Sequence, residues 1–146
     1  MFHRYDTTSL TSTFLAYELA LNPDIQERLR DEINEVLEKY EEEICHDSIA
    51  EMKYLDMVLN ETLRKWPVAN LQFRKSTREY KIPNTTLTIP ADTFIIIPTL
   101  SIHRDERFYE NPEKFDPERF TEENKGKRHS MAFIPFSEGP RICLGE

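Results

Sequence analysis

Cys143 is the side chain whose surroundings most suggest chemistry. It lies in the stretch Phe136-Ser137-Glu138-Gly139-Pro140-Arg141-Ile142-Cys143-Leu144-Gly145, where one thiol is accompanied by an aromatic, a cation and two glycines. A cysteine taken alone is more often an inert buried residue. Cys45 fits that description, with only His46 beside it and no second metal-spaced pair. The two cysteines are far apart in unlike contexts, so a disulfide framework has no support. Three further groups carry polar chemistry. Glu61-Thr62-Leu63-Arg64 puts an acid and a base on one face of a helix, a spacing that is usually just a surface pair. Asp6-Thr7-Thr8 joins a carboxyl to an alcohol, which can relay a proton but also reads as ordinary helix N-capping. His103-Arg104-Asp105 reads as a surface turn stabilised by Asp105.

The cysteine stretch resembles the haem-binding loop of the cytochrome P-450 family, Phe-x-x-Gly-x-Arg-x-Cys-x-Gly, with all five fixed positions matched. At average residue frequencies such a coincidence falls well under roughly one per million start points. The resemblance implies Cys143 as the axial thiolate ligand of haem iron, where its electron donation favours O–O cleavage. Such a sulfur needs backbone N–H donors and little solvent, which assigns Gly139 and Gly145 to backbone geometry and Phe136 to shielding. Arg141 would pair with a haem propionate. The family also carries Glu-x-x-Arg, matched by Glu61 and Arg64, and a following arginine motif, matched by Arg119 in Pro117-Glu118-Arg119-Phe120. These three imply a buried structural network that fastens an irregular segment over the helix. Arg74, in Phe73-Arg74-Lys75, stands where a basic residue also reaches a propionate, His103-Arg104-Asp105 resembles a recurrent family tripeptide as well as a surface turn, and Asp6-Thr7 resembles the oxygen-activating pair. Two positions depart from the pattern. His3-Arg4 replaces small residues before the acid, and Ser137 replaces a commoner glycine, costing on the order of 1 kcal/mol if φ is positive there.

Positioning these groups requires three long helices. Leu10, Phe14, Tyr17 and Leu21 recur at helical spacing over Asp6–Leu21, after a polar start. Asn22 offers a cap and Pro23 opens a second helix through Tyr40, with Ile25, Leu29, Ile33, Val36, Leu37 and Tyr40 as its apolar stripe. Asp24 with Arg28, and Glu35 with Lys39, read as i,i+4 pairs on its exposed face. Ser48 and Glu51 form a capping-box pattern for a short helix. A third long helix, Tyr54–Trp66, ends at Pro67, with Leu55, Val58, Leu59, Thr62, Leu63 and Trp66 inward. Short β-rich runs at 80–82, 86–89 and 93–97 predict a small sheet. From Phe108 to Phe136 no period holds, and so long an irregular stretch suggests a task beyond connection.

The expected organisation over 1–146 is therefore helices at 6–66, a small sheet at 67–103, an irregular meander at 104–135 and the cysteine haem loop at 136–146. The fold class is mainly α with a small β-sheet (α+β). By resemblance it forms the C-terminal part of the triangular cytochrome P-450 prism, closest to insect microsomal enzymes that oxidise foreign compounds. Charged residues make up 32% and hydrophobic ones 38%, so the core is modest. A net charge of -8 without a basic stripe excludes a nucleic-acid surface, and Lys125–Arg128 reads as a solvated loop. No run approaches the length of a membrane span, and no apolar signal core opens the chain.

The resemblance implies a monooxygenase that inserts one atom of O2 into a lipophilic small molecule, with electrons from an NADPH-dependent flavoprotein reductase. It implies the cytoplasmic face of the endoplasmic reticulum membrane, with the membrane anchor, much of the substrate pocket and the helix after the cysteine lying in portions absent from this chain. The alternative is a catalytically silent fragment unable to retain haem alone.

Overall fold

The computed structural model describes residues 3–144, with side chains described from Asp6 onward. Four helices open the chain: α1 His3–Leu21, α2 Pro23–Lys39, α3 His46–Glu51 and α4 Lys53–Lys65. Four short strands follow, β1 Gln72–Lys75, β2 Tyr80–Lys81, β3 Thr88–Ile89 and β4 Phe94–Ile97, and then α5 Thr99–His103. The remainder holds 3-10 turns at Pro117–Phe120 and Ser130–Ala132 around the one-turn helix α6, Glu122–Gly126. The expected class, mainly α with small β structure, is what forms.

α1, α2 and α4 pack around Leu29, Tyr54 and Val58, with Leu15, Leu19, Ile25, Ile33, Leu55 and Met57 at the margin. Phe115 from the irregular stretch completes this cluster, so the meander is part of the core rather than a cover laid over it. Phe14 stacks on Trp66 at 4.5 Å between ring centroids, joining α1 to the end of α4.

Several local expectations change because partners come from elsewhere in the chain. Asn22 does not cap α2; its amide donates back to the Glu18 carbonyl at 2.8 Å, where a single residue separates the helices and α1 has unpaired carbonyls. Ser48 is not the cap of α3 but its third residue, reciprocating with Cys45 in the capping box. Glu51 instead accepts from Lys39 and Tyr40 across the helix pair. The two i,i+4 pairs are likewise superseded. Arg28 lies over the Tyr54 ring and bonds Glu118 at 2.5 Å, while Lys39 pairs with Glu51 at 2.7 Å. Met52 gives α4 no side-chain cap, and Glu32 of α2 supplies one, accepting from the Tyr54 and Leu55 amides at 2.7 and 2.9 Å. A carboxylate there also suits the positive end of the helix dipole.

The strands form two ladders instead of one sheet. β1 pairs antiparallel with β4, Gln72 opposite Ile97 and Lys75 opposite Phe94, while β2 pairs with β3. β1 has no apolar alternation of its own, and its partner lies about twenty residues on, which is why no period marks it. Arg128 is not a solvated loop residue: its guanidinium lies 4.9 Å from the Tyr109 centroid and 5.1 Å from that of Phe120, and it donates to the Arg119 carbonyl. Among the described residues no helix is long and apolar enough to cross a membrane.

Candidate functional site

The cysteine loop begins at Ile134, whose carbonyl accepts from the Ser137 amide at 3.2 Å. Ser137 then takes φ +73° and Gly139 φ +83°, two left-handed turns that reverse the chain. The reversal lets the Cys143 amide donate to the Phe136 carbonyl at 2.9 Å and the Ile142 amide to Gly139 at 3.0 Å. Glycine adopts such a φ without strain; serine does so at a cost on the order of 1 kcal/mol. Here the serine offers a compensation, because its Oγ accepts from Arg74 Nη2. Phe136 is half-buried, whereas Arg141 and Cys143 are exposed and Leu144 is fully so. Gly145 lies outside the described residues.

Glu61, Arg64 and Arg119 meet in the interior. Arg64 and Glu61 are wholly buried, and the guanidinium grips the carboxylate at two points, Nε to Oε2 at 2.6 Å and Nη2 to Oε1 at 2.9 Å. Arg64 spends its remaining donors on backbone: Nη1 on the His103 carbonyl and Nη2 on that of Pro112, both at 2.8 Å. Glu61 Oε1 also accepts from the Asp116 amide at 2.9 Å. Arg119 Nε stands 3.5 Å from the same oxygen, an ion pair without hydrogen-bond geometry, and its Nη2 donates to Asn111. Burial pushes the Glu61 carboxyl above its ordinary range, and Arg64, the Asp116 amide and Arg119 pull it back. One ion pair on α4 thus ties α5 and both ends of the 112–116 stretch to a single point.

Asp6 and Thr7 lie within the early turns of α1 at exposed positions. Asp6 is inside the helix, so the N-cap reading of this pair does not apply. Thr11 and Thr13 donate to carbonyls four residues back, the internal pairing by which hydroxyls sit within a helix. What anchors α1 is nearer its other end. Glu18 is buried and accepts from Trp66 Nε1 at 2.8 Å, with Lys65 Nζ at 2.9 Å.

The surface-turn reading of His103-Arg104-Asp105 holds only for its last residue. Asp105 accepts from the Arg107 amide at 2.9 Å and from its guanidinium, which together lower its carboxyl to about 2. His103 is fully buried, with Nδ1 3.2 Å from the Arg64 carbonyl and Nε2 accepting from the Ile134 amide at 3.0 Å. Burial lowers it to about 4. Arg104 covers the next carbonyl of α4, that of Lys65, at 3.0 Å. Glu18, Gln72 and Tyr109 are further buried polar residues that no motif marks. For His103 the available signal was the resemblance of His103-Arg104-Asp105 to a family tripeptide, which does not distinguish a buried imidazole from a surface turn.

Among the described residues no three His, Cys, Asp or Glu side chains converge as a metal site. A haem asks for less: one axial ligand, an apolar face and cations for its propionates. An exposed thiol on a loop tied by three backbone bonds, flanked by exposed Ile142 and Leu144, with Arg141 in the loop and Arg74 of β1 bonded to its Ser137, fits that demand.

One helical frame thus carries a buried Glu-x-x-Arg pair and a cysteine loop tied by backbone bonds. The Cytochrome P450 family profile matches residues 1–146, and the chain belongs to that family. It is 52% identical over 142 residues to "Probable cytochrome P450 6a13" of Drosophila melanogaster, covering 97% of this chain and 29% of that protein. It is 50% identical to "Cytochrome P450 6B1" of Papilio polyxenes and 43% identical to "Cytochrome P450 6B6" of Helicoverpa armigera, covering 28% of each. The chain is thus of the insect family-6 type and spans less than a third of the length of these relatives.

Proposed function

We propose that this chain belongs to a haem monooxygenase and that Cys143 is the thiolate that would hold the haem iron. The enzyme inserts one atom of O2 into a lipophilic small molecule, using electrons from an NADPH-dependent flavoprotein reductase. The observation that carries the reading is the tied loop, which holds an exposed Cys143 between exposed Ile142 and Leu144 and is bonded at Ser137 by Arg74. When bound, the haem supplies the activation of dioxygen, for which a thiolate ligand is the suitable electron donor. The remaining work falls to the chain's own side chains. Arg141 and Arg74 would bind the propionates by charge-assisted hydrogen bonds, and Phe136 would shield the sulfur once the haem is bound. The Glu61–Arg64–Arg119 cluster keeps the meander seated on α4. Asp6 and Thr7 would hold and pass a proton, the carboxyl supplying it and the hydroxyl orienting it.

Cys143→Ser in the full polypeptide tests the assignment through the carbon-monoxide difference spectrum of the reduced protein. Loss of the thiolate-type band is expected, and an intact band would refute the ligand. The exposure of Cys143 also favours a second reading for the 146 residues by themselves, that they do not retain haem. Haemin added to the isolated chain should then give neither a Soret shift nor a cooperative melt.

A further inference from the structure

The backbone of Ile134 is held at both its N–H and its carbonyl by buried side chains that the haem-loop motif does not include. Its N–H donates to His103 Nε2 at 3.0 Å, and its carbonyl accepts from Gln72 Nε2 at 2.9 Å. The same carbonyl receives the Ser137 amide, so it is the point at which the chain turns into the cysteine loop. Gln72 and Arg74 are two residues apart on β1, hence on one face of the strand, roughly 7 Å apart along it. Gln72 grips the loop at Ile134 and Arg74 grips it at Ser137. His103 completes the frame from the other side. The Arg64 carbonyl can only accept and the Ile134 amide can only donate, so the ring must be neutral with its proton on Nδ1. One imidazole therefore links the end of α4, next to the Glu61–Arg64 pair, to the root of the cysteine loop.

We propose that His103 and Gln72 are positioning residues that lock the root of the cysteine loop through Ile134 and so set how firmly the thiolate of Cys143 is held. The proposal rests on the haem-thiolate reading. It makes the loop a body clamped at 134 and 137 instead of a flexible end, which a ligand sulfur requires because misplacement weakens the bond it makes. It also makes the clamp acid-sensitive. A second proton on His103 would aim an N–H at the Ile134 N–H, and Arg64 is the charged group that faces the ring and opposes that proton.

The test uses the full haem-loaded polypeptide, with His103→Leu, Gln72→Leu and the double variant compared with the unaltered protein. The readout is the rate at which the thiolate-type band of the reduced carbon-monoxide complex converts to the neutral-thiol type in mild urea. Each single variant is expected to start with the thiolate band and lose it roughly tenfold faster, as for a buried hydrogen bond left unmade. The double variant should fall short of the product, since both act on the backbone of one residue, Ile134. Conversion in the unaltered protein should accelerate as pH falls below about 6.5, and His103→Leu should lack that limb. Unchanged rates, or an acid limb that survives in His103→Leu, overturn the proposal. If His103→Leu does not accumulate folded, Gln72→Leu decides alone, and an unaltered rate there overturns it. Absence of any thiolate band in the unaltered protein would instead sink the assignment of Cys143.

Discussion

Removing Arg64 is the most demanding single perturbation of this structure. Arg64→Met keeps most of the side chain's bulk and deletes the guanidinium, which is fully buried and bonded to Glu61 twice, to His103 and to Pro112. Breaking one half of a buried ion pair costs about 3–5 kcal/mol, because the surviving charge has lost its partner. Glu61 would keep the Asp116 amide at 2.9 Å and Arg119 at 3.5 Å, which places its share near the low end, about 3 kcal/mol. Two orphaned carbonyls, of His103 and Pro112, add about 1 kcal/mol each. The sum, about 5 kcal/mol, is comparable with the whole stability of many domains. Urea unfolding of the full polypeptide measures it, with hydrogen exchange at the Asp116 amide as a local reporter. The partner change Glu61→Leu should be similarly costly, and the double variant Glu61→Leu/Arg64→Met should be less damaging than the sum of the two. A loss below about 1 kcal/mol for Arg64→Met, or strict additivity in the double variant, would refute the claim that one buried pair holds the meander to α4.

Three further outcomes follow from the geometry. His103 has its pKa lowered by burial from 6.5 to about 4, so the folded state binds fewer protons than the unfolded one. The stabilisation is complete above 6.5 and is lost as pH falls toward 4, about 3 kcal/mol in all; His103→Gln should flatten that part of a stability-against-pH profile. Ser137→Gly should be more stable than Ser137→Ala by about 1 kcal/mol in thermal unfolding, because both lose the Arg74 contact and only glycine relieves the positive φ. Glu18→Leu should cost about 1–3 kcal/mol by leaving Trp66 Nε1 unpaired, whereas Glu18→Gln, which preserves an acceptor, should cost under about half of that.

The cysteine loop and the Glu61–Arg64 pair were legible because both ends of each relationship lie within a few residues, and because the chemistry needs particular side chains. α2 and α4 were legible for a similar reason, since an apolar stripe at helical spacing declares the buried face before the partner is known. What stayed hidden is the set of bonds between a side chain and a distant backbone atom. Gln72 meets the Ile134 carbonyl across 62 residues, and His103 meets the Ile134 amide across 31. Backbone acceptors carry no residue label, so no spacing of residue types can announce them. The same blindness misassigned the charges of α2: Arg28 has an acid four residues before it, yet its partner is Glu118, 90 residues on. A local pair exposed to water is worth only a few tenths of a kcal/mol, so it yields readily to any geometry in which the cation can also lie over an aromatic face, here Tyr54 at 3.8 Å. Short motifs therefore mark the residues proposed to touch the cofactor, while the contacts that hold such residues in place are long-range and end on unlabelled backbone. The reach of a mutation such as Gln72→Leu should accordingly be judged from what its partner peptide holds in place, not from its distance to Cys143 in the chain.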